Sequence, residues 1–486
     1  MSALRRSVRG AALAASLAAG ALPAAAQQPV PPAQQPFALP RPAERTLGNG
    51  LRVVVAEQAD VPLATAQLLV KSGPEADPAG LAGLAEFVVT LAVRGTEARP
   101  QAQVVQEVAA LGATLTAAAD WDAVRLTTTA PASRLPQAAA LLAESAMRPA
   151  LTQRDVELFN EAAARRAYAR FGQAPLLGEY AAARVLFGTS EYGHPPMGTQ
   201  ESVQRITRDD VTRFHAAHFR PDNAVLVIAG DVRPDAAFAL AERLFGGWAR
   251  PAGAVPAATR GRPGAPPAQQ RVVVIDVPDA DEATVTLAAP GVGIADADYF
   301  RALVSGAVLG GGYGARLSRA VRVERPLAES LRARVDARRD GGTLFVSTTV
   351  PNEAAAEAAA LLAAGMARLA AEPATHAELA ARRAFLTGTL SREVQTTEGL
   401  ATLVGMLAAR GVPLDRVARF GREMQSVGPR DVRRFGARLA AAKPQVVIVG
   451  RADAVLEDAR RRFPGVEVVP FDELDLAVGT LRTPQP

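Results

Sequence analysis

The 486-residue chain contains no cysteine, so neither a disulfide nor a metal-binding thiolate contributes to its structure. Its stability must therefore come from the packing of its cores. Lysine occurs only at Lys71 and Lys443, and aromatic residues make up only 5% of the chain. The formal charge of +5 is carried by arginines interspersed with acidic residues, without a basic stripe that alternates with aromatics. This pattern argues against a nucleic-acid partner.

Long apolar runs are also absent after the N-terminal region, and no later segment has eighteen uninterrupted apolar residues. The sequence therefore predicts no membrane span. Three arginines within the first nine residues precede an apolar run over 10–22 and three alanines over 24–26. This order predicts a cleaved signal peptide over residues 1–26. We expect an exported, periplasmic protein.

Glycine and proline mark the boundaries of a chain that is 49% hydrophobic and long enough for more than one core. Residues 27–44 are rich in proline and glutamine and read as an extended spacer. A second stretch rich in proline and glycine, residues 251–270, reads as a linker. It predicts an N-terminal domain over 45–250 and a C-terminal domain over 271–475, followed by a short tail at 476–486.

The second half of the chain repeats a pattern of the first. Asp-Val-x-Arg-Phe begins at Asp210 and again at Asp431, 221 residues later. Each copy lies in a predicted helix that is followed by a valine-rich strand and another helix. Two copies at so long a period indicate a duplicated domain. We expect an α+β fold in which two homologous halves, each an antiparallel or mixed sheet flanked by helices, form a clam-shell around a cleft.

Several short motifs occur in an order that resembles a known family. They are Gly80-Leu81-Ala82, Gly95-Thr96, Pro195-Pro196-Met197-Gly198-Thr199, Arg220-Pro221-Asp222-Asn223, Gly230-Asp231, Gly310-Gly311-Gly312 and Arg316-Leu317. Together they resemble the pitrilysin/insulinase family of zinc peptidases, in the form with two homologous halves per subunit. The resemblance covers nearly the whole chain after the signal peptide, and mitochondrial processing peptidase subunits are similar.

Family members that cleave peptides carry His-x-x-Glu-His directly after the Gly-Leu-Ala segment. Two imidazoles one helical turn apart hold zinc, and the glutamate acts as general base on the zinc-bound water. Placed after Gly80-Leu81-Ala82, this pattern falls on residues 83–87 and retains only Glu86. Gly83 and Phe87 offer no donor atom.

The third zinc ligand of active members is a glutamate about 70 to 80 residues further on. Here that position is Arg165 or Arg166, and a guanidinium would repel zinc. The resemblance therefore implies that this chain has no catalytic residue, no metal site and no cofactor of its own. Zinc is expected in a partner subunit.

The resemblance also implies sites for holding a peptide. In the family, substrate adds as an extra strand to an edge strand, which here is predicted at 114–118 and includes Thr116 and Ala117. A glycine-rich loop serves substrate recognition in non-catalytic subunits, and a shorter run occurs here in a similar position, at Gly310, Gly311 and Gly312. A tight turn is the alternative, and a phosphate loop is excluded because no Lys-Ser/Thr follows.

Arg322 matches a family arginine that holds substrate. The accompanying tyrosine position is Glu329, and Pro326 stands where glycine is usual. Arg322 is thus expected either to hold a peptide carbonyl or carboxylate or to form a structural ion pair.

These expectations describe a non-catalytic periplasmic subunit that binds peptide and pairs with a zinc-bearing homologue. Two alternatives stay open. The chain is a stand-alone peptide-binding or assembly protein, or it is a metallopeptidase whose metal has moved to His215 and His218, three residues apart on a predicted helix.

Overall fold

A computed structural model describes residues 41–256 and 269–482. The signal peptide predicted over 1–26 lies outside these residues, as do parts of the spacer, the linker and the C-terminal tail. The two sheets of the fold lie within one compact unit of the described residues. The predicted domain boundaries on either side of the linker stay predictions.

The first half forms one sheet and its helices. The strands are β1 Ala43–Thr46, β2 Arg52–Glu57, β3 Leu63–Val70, β4 Thr114–Asp120, β5 Ala123–Pro131 and β6 Ala224–Gly230. The helices are α1 Leu84–Ala92, α2 Gln101–Ala110, α3 Leu135–Met147, α4 Gln153–Phe171, α5 Ala174–Phe187, α6 Gln200–Gln204, α7 Arg208–His218 and α8 Pro234–Phe245. Thr152 and Thr207 fix the starts of α4 and α7, because their side chains accept hydrogen bonds from backbone N–H groups of the first turn.

The second half forms a second sheet. Its strands are β7 Val272–Asp276, β8 Glu282–Pro290, β9 Leu331–Ala337, β10 Gly342–Pro351, β11 Gln445–Gly450 and β12 Val466–Pro470. Its helices are α9 Tyr299–Gly310, α10 Arg316–Arg319, α11 Ala355–Ala371, α12 His376–Val394, α13 Thr397–Ala409, α14 Asp415–Ser426, α15 Pro429–Ala441 and α16 Ala452–Arg462. A short π-helical turn, Ala320–Glu324, follows α10.

The two sheets have equivalent strand orders, β1-β2-β6-β3-β5-β4 and β12-β7-β11-β8-β10-β9. Both are mixed, since β2 pairs in parallel with β6, and β7 with β11, while the next strands are antiparallel. The repeated motif lies in α7 and α15, directly before β6 and β11. The predicted fold of two homologous mixed sheets flanked by helices is confirmed. Strands β4 and β9 form the corresponding open edges.

Each sheet is covered on one face by a helix from the other half. Helix α5 packs against β8 and β11, and α13 packs against β3 and β6. Glycines permit the close approach. A Cβ at Gly178 in α5 would lie 2.7 Å from Thr286 Oγ1, and one at Gly405 in α13 would lie 2.6 Å from Leu69 Cδ1. A sheet that is covered on both faces needs an apolar partner on each side. Since each half supplies a helix that covers the sheet of the other half, this exchange holds the two halves together.

The β4–β5 and β9–β10 turns meet in a buried polar cluster. Asp122, 2% exposed, accepts hydrogen bonds from Arg410 Nε at 2.8 Å, from the Arg339 backbone N–H at 2.8 Å and from the Tyr192 hydroxyl at 2.5 Å. The Arg338 guanidinium lies 3.8 Å from the ring centroid of Trp121. Charges from one half are thus compensated by groups from the other.

One helical segment of the described residues, Asn352–Ala371, is long and apolar enough to cross a membrane when judged by length and composition alone. It contains α11, in which Leu362, Met366 and Leu369 are fully buried. A core helix of a folded domain has the same composition.

Replacing Asp122 with alanine should weaken the junction between the halves. Arg410 would lose its buried counter-charge, and we expect the free energy of unfolding to fall by about 3 kcal/mol. Chemical denaturation measures this change. Asp120→Ala, which removes a half-exposed partner of Arg125, is the matched control and should cost at most about 1 kcal/mol. Equal losses for the two variants would contradict the assigned role of Asp122.

Glu75 gives the junction a predictable pH dependence. Burial and the nearby charge of Asp122 raise the pKa of this fully buried carboxyl from 4.5 to about 8, although Arg339 opposes the shift. The folded state therefore holds a proton that the unfolded state releases. The contribution of this proton to the free energy of unfolding is complete below about pH 4.5 and is lost as the pH rises through 8. Relative to the wild type, Glu75→Gln should gain stability between pH 5 and pH 8 in urea unfolding. A pH-independent difference would show that Glu75 titrates normally.

Candidate functional site

Helix α1 begins at Leu84, within the stretch on which the zinc pattern was placed. Gly83 is its N-cap and has a left-handed backbone with φ of +96°. A side chain at this position would place its Cβ 2.6 Å from the Met197 carbonyl oxygen, so only glycine fits. Gly80-Leu81-Ala82 therefore precedes the helix, and it is the second copy, Gly83-Leu84-Ala85, that starts it.

The outward face of α1 carries two side chains. Glu86 and Thr90 are partly exposed, whereas the other residues of the helix are buried. These two positions are four residues apart and share one face of the helix. Phe87 is 1% exposed and packs edge-to-face on Phe159, with ring centroids 4.6 Å apart.

The predicted placement of the zinc pattern on Gly83 and Phe87 therefore needs correction. Both residues are buried, and a side chain at Gly83 would collide with the Met197 backbone, so the two positions cannot present metal ligands on an accessible face of the helix. Starting instead from Gly83-Leu84-Ala85, the pattern places its two imidazoles at Glu86 and Thr90. Val89 then takes the place of the general base, and its alkyl side chain cannot accept a proton.

The structure also distinguishes the two arginines weighed for the third ligand. Arg165 is exposed, lies 3.7 Å from Glu161, and lines a cavity of about 440 Å³ between α4 and α6. The Arg166 guanidinium lies 4.7 Å from the ring centroid of Phe159, the ring against which Phe87 packs. Arg166, rather than Arg165, is thus the arginine on the side of α4 that faces α1.

Glu86 is held by the edge strand. Its Oε2 accepts the backbone N–H of Ala119 at 3.0 Å. Burial raises the pKa of Glu86, while the bond from Ala119 and the charges of Arg170, Arg166 and Arg125 oppose the shift. The carboxylate is therefore part of a charged cluster and is already engaged by the backbone.

This cluster does not fit a zinc ion. Thr90 offers only a weakly coordinating hydroxyl, and Arg166 and Arg170 bring positive charge next to the one carboxylate. Across residues 41–256 and 269–482, no group of three or more histidine, cysteine, aspartate or glutamate side chains is arranged to hold a metal.

Strand β4 lies at one edge of the first sheet, as predicted. In an antiparallel pair, alternate residues direct both their N–H and their C=O away from the neighbouring strand. The bond from Ala119 to Glu86 shows that Ala119 belongs to the outward set, and Ala117 and Leu115 follow by alternation. Ala117 is therefore available for strand addition, whereas the backbone of Thr116 faces β5.

The run Gly310-Gly311-Gly312 requires glycine for packing and for its backbone conformation. A Cβ at Gly310 would lie 2.5 Å from the Ala333 Cβ on β9, and Gly312 has φ of +101°. The carbonyl of Gly311 accepts a hydrogen bond from Arg382. Close packing on β9 accounts for Gly310 and the positive φ for Gly312, and the role of the run in substrate recognition stays a prediction.

Arg322 lies 4.3 Å from the ring centroid of Tyr313, which is 65% exposed. Within the residues described, it forms no ion pair, so the contact is a cation–π interaction. Glu329, at the expected tyrosine position, is exposed. The role of Arg322 in holding substrate stays a prediction.

The histidines considered for a relocated metal have separate partners. His215 Nε2 lies 2.9 Å from the Ala146 carbonyl oxygen, and His218 Nδ1 lies 2.9 Å from Ser72 Oγ. Burial lowers the pKa of His215 and lowers that of His218 to about 4. Their contacts are those of packed structural histidines.

Sequence reasoning missed Arg170. Its guanidinium contacts the Met197 sulfur and acts electrostatically on the Tyr180 hydroxyl, one turn beyond Arg166 on α4. The four-residue spacing of Arg166 and Arg170 on a predicted helix was the available signal.

Two family descriptions match the chain. Insulinase (Peptidase family M16) matches residues 52–178, and the Peptidase M16 inactive domain matches residues 205–386. The chain belongs to the insulinase family of peptidases.

Relatives and solved structures agree with this family. An uncharacterized zinc protease of Mycobacterium leprae is 29% identical over 309 residues, covering 62% of this chain and 67% of the relative. A probable mitochondrial-processing peptidase subunit beta of Schizosaccharomyces pombe is 27% identical, covering 56% of this chain and 60% of the relative.

The solved structures show a similar fold. The peptidase M16 inactive domain from Pseudomonas fluorescens has a TM-score of 0.75 at 20% identity, over 84% of this chain and 98% of that one. A protease from Helicobacter pylori has a TM-score of 0.79 at 18% identity, over 85% of this chain and 100% of that one.

The corrected placement of the zinc pattern can be tested by restoring it. A variant carrying Glu86→His, Thr90→His and Arg166→Glu places two imidazoles and a carboxylate at the three ligand positions. We expect it to retain about one zinc per chain after dialysis, measured by elemental analysis.

The matched control carries Gly83→His, Phe87→His and Arg165→Glu. It should retain no zinc and should fold poorly, because residue 83 has no space for a Cβ. A folded first variant without zinc would contradict the corrected placement, and circular dichroism checks the folding of both variants.

Proposed function

We propose that this protein is the non-catalytic subunit of a periplasmic insulinase-family peptidase. It binds peptide along β4 and shapes the substrate chamber of a zinc-bearing homologous partner. The observation that carries this proposal is the outward face of α1, where Glu86 and Thr90 occupy the imidazole positions and Arg166 lies near them on α4.

The scaffold around this face supports a binding role. The open edge of β4 presents the backbone groups of Leu115 and Ala117, and strand addition depends on backbone groups. Loss of the zinc ligands leaves this edge intact. A chain with this arrangement can hold a peptide but has no activated water with which to cleave it.

The comparisons support pairing with a homologous subunit. One family description is that of an inactive domain. Two relatives are named as subunits of assemblies, the mitochondrial-processing peptidase subunit beta of Schizosaccharomyces pombe and the cytochrome b-c1 complex subunit 1 of Homo sapiens. Those names describe the relatives, and the partner of this chain belongs to the proposal.

The experiment is co-purification of the tagged protein from its native host. We expect a homologous subunit with an intact His-x-x-Glu-His motif in the assembly. Zinc and peptidase activity should be present in the assembly and absent from the isolated chain. Because Glu86 does not occupy the general-base position, Glu86→Gln should change the turnover of the assembly by less than about tenfold.

Two results would overturn the proposal. The first is zinc-dependent peptide cleavage by the isolated chain. The second is peptide binding by the chain with no homologous subunit in the native extract, which favours the stand-alone alternative. The periplasmic location depends on the signal peptide predicted over residues 1–26, and cell fractionation tests it separately.

A further inference from the structure

Two arginines beside the edge strand have no acidic partner of their own. Arg166 and Arg170 are one turn apart on α4, and neither forms an ion pair within the part of the chain that the structure describes. Arg166 stacks on Phe159, and Arg170 contacts Met197 and Tyr180. Neighbouring arginines of the same half, such as Arg99 and Arg125, do pair with carboxylates.

One acid beside the pair, Glu86, is already engaged. Arg166 and Arg170 both act electrostatically on Glu86, so all three groups share one region. The Glu86 carboxylate, however, accepts the Ala119 N–H and is mostly buried. Glu179, which also lies near Tyr180, is paired with Arg334 at 2.7 Å. The two arginines therefore face one carboxylate that is not paired elsewhere with an arginine, which leaves an excess of positive charge.

This charge lies at one end of the available backbone edge. Because the Ala119 N–H already donates to Glu86, a strand that adds to β4 pairs with the backbone of Leu115 and Ala117. An added strand lies about 4.8 Å from β4, and its alternate side chains point to the helix side of the sheet. A side chain that continues past Ala117 on that side approaches Glu86 and the two arginines.

We infer that this site selects extended peptides that carry a carboxylate, held by Arg166 and Arg170 while the peptide backbone pairs with β4. The inference rests on the proposed peptide-binding function and specifies the substrate class. Paired guanidiniums recognise carboxylates through charge-assisted hydrogen bonds. An acidic side chain and a C-terminal carboxylate share this chemistry.

The test measures the affinity of the purified mature chain for three short, otherwise identical peptides by fluorescence anisotropy. One has an internal glutamate and an amidated C-terminus, one has glutamine and an amidated C-terminus, and one has glutamine and a free C-terminus. We expect at least one carboxylate-bearing peptide to bind about tenfold more tightly than the neutral peptide. The preference should shrink as salt is raised.

The variants assign this preference to the arginine pair. Arg166→Gln with Arg170→Gln should reduce it to within about twofold, while Arg165→Gln on the other side of α4 should leave it unchanged. If the double variant folds poorly, Arg166→Gln alone serves as the test, because the only contact it removes is an exposed one with Phe159. We expect it to weaken the carboxylate preference about threefold.

The outcomes distinguish the carboxylate preference from peptide binding itself. Equal binding of all three peptides would overturn the carboxylate preference and leave peptide binding in place. A preference that persists in the double variant would also overturn it. Failure to bind any of the three peptides would overturn both the preference and the proposed docking along β4.

Discussion

The fold depends on the exchange of two helices between its halves. Helix α5 covers the second sheet and α13 covers the first, with Gly178 and Gly405 allowing their close approach. Each sheet therefore reaches full burial only when the other half is present. The polar cluster around Asp122 reinforces this arrangement, because its charges come from both halves. The open edge of β4 is consequently held on a rigid base, which suits a site that binds through its backbone.

A single steric constraint determines how the candidate site is aligned. The backbone of Met197 leaves no space for a side chain at Gly83, and the helix therefore starts at the second Gly-Leu-Ala copy. Its outward face then carries Glu86 and Thr90. At the positions of the zinc pattern the chain has a carboxylate that binds the edge strand, with arginines nearby. In the proposal made here, the positions that would support hydrolysis in an active relative support charge recognition.

Much of the fold was predictable from local patterns. The valine-rich strands, the repeat at Asp210 and Asp431, and the edge position of β4 are all confirmed. The helix exchange was not predictable, because the apolar faces of α5 and α13 do not specify which sheet they cover. The tandem copies over residues 80–85 permit two alignments, and only the contact with Met197 decides between them. Likewise, adjacent arginines at 165 and 166 could be distinguished only once the rotation of α4 was known.

The central claim is that this chain holds peptide at β4 without cleaving it. Hydrogen–deuterium exchange of the isolated chain with saturating peptide, followed by mass spectrometry of both components, tests this claim most directly. The account predicts slower exchange across Leu115 and Ala117 together with an intact peptide. A shortened peptide, or protection confined to other segments while β4 exchanges as before, would contradict it.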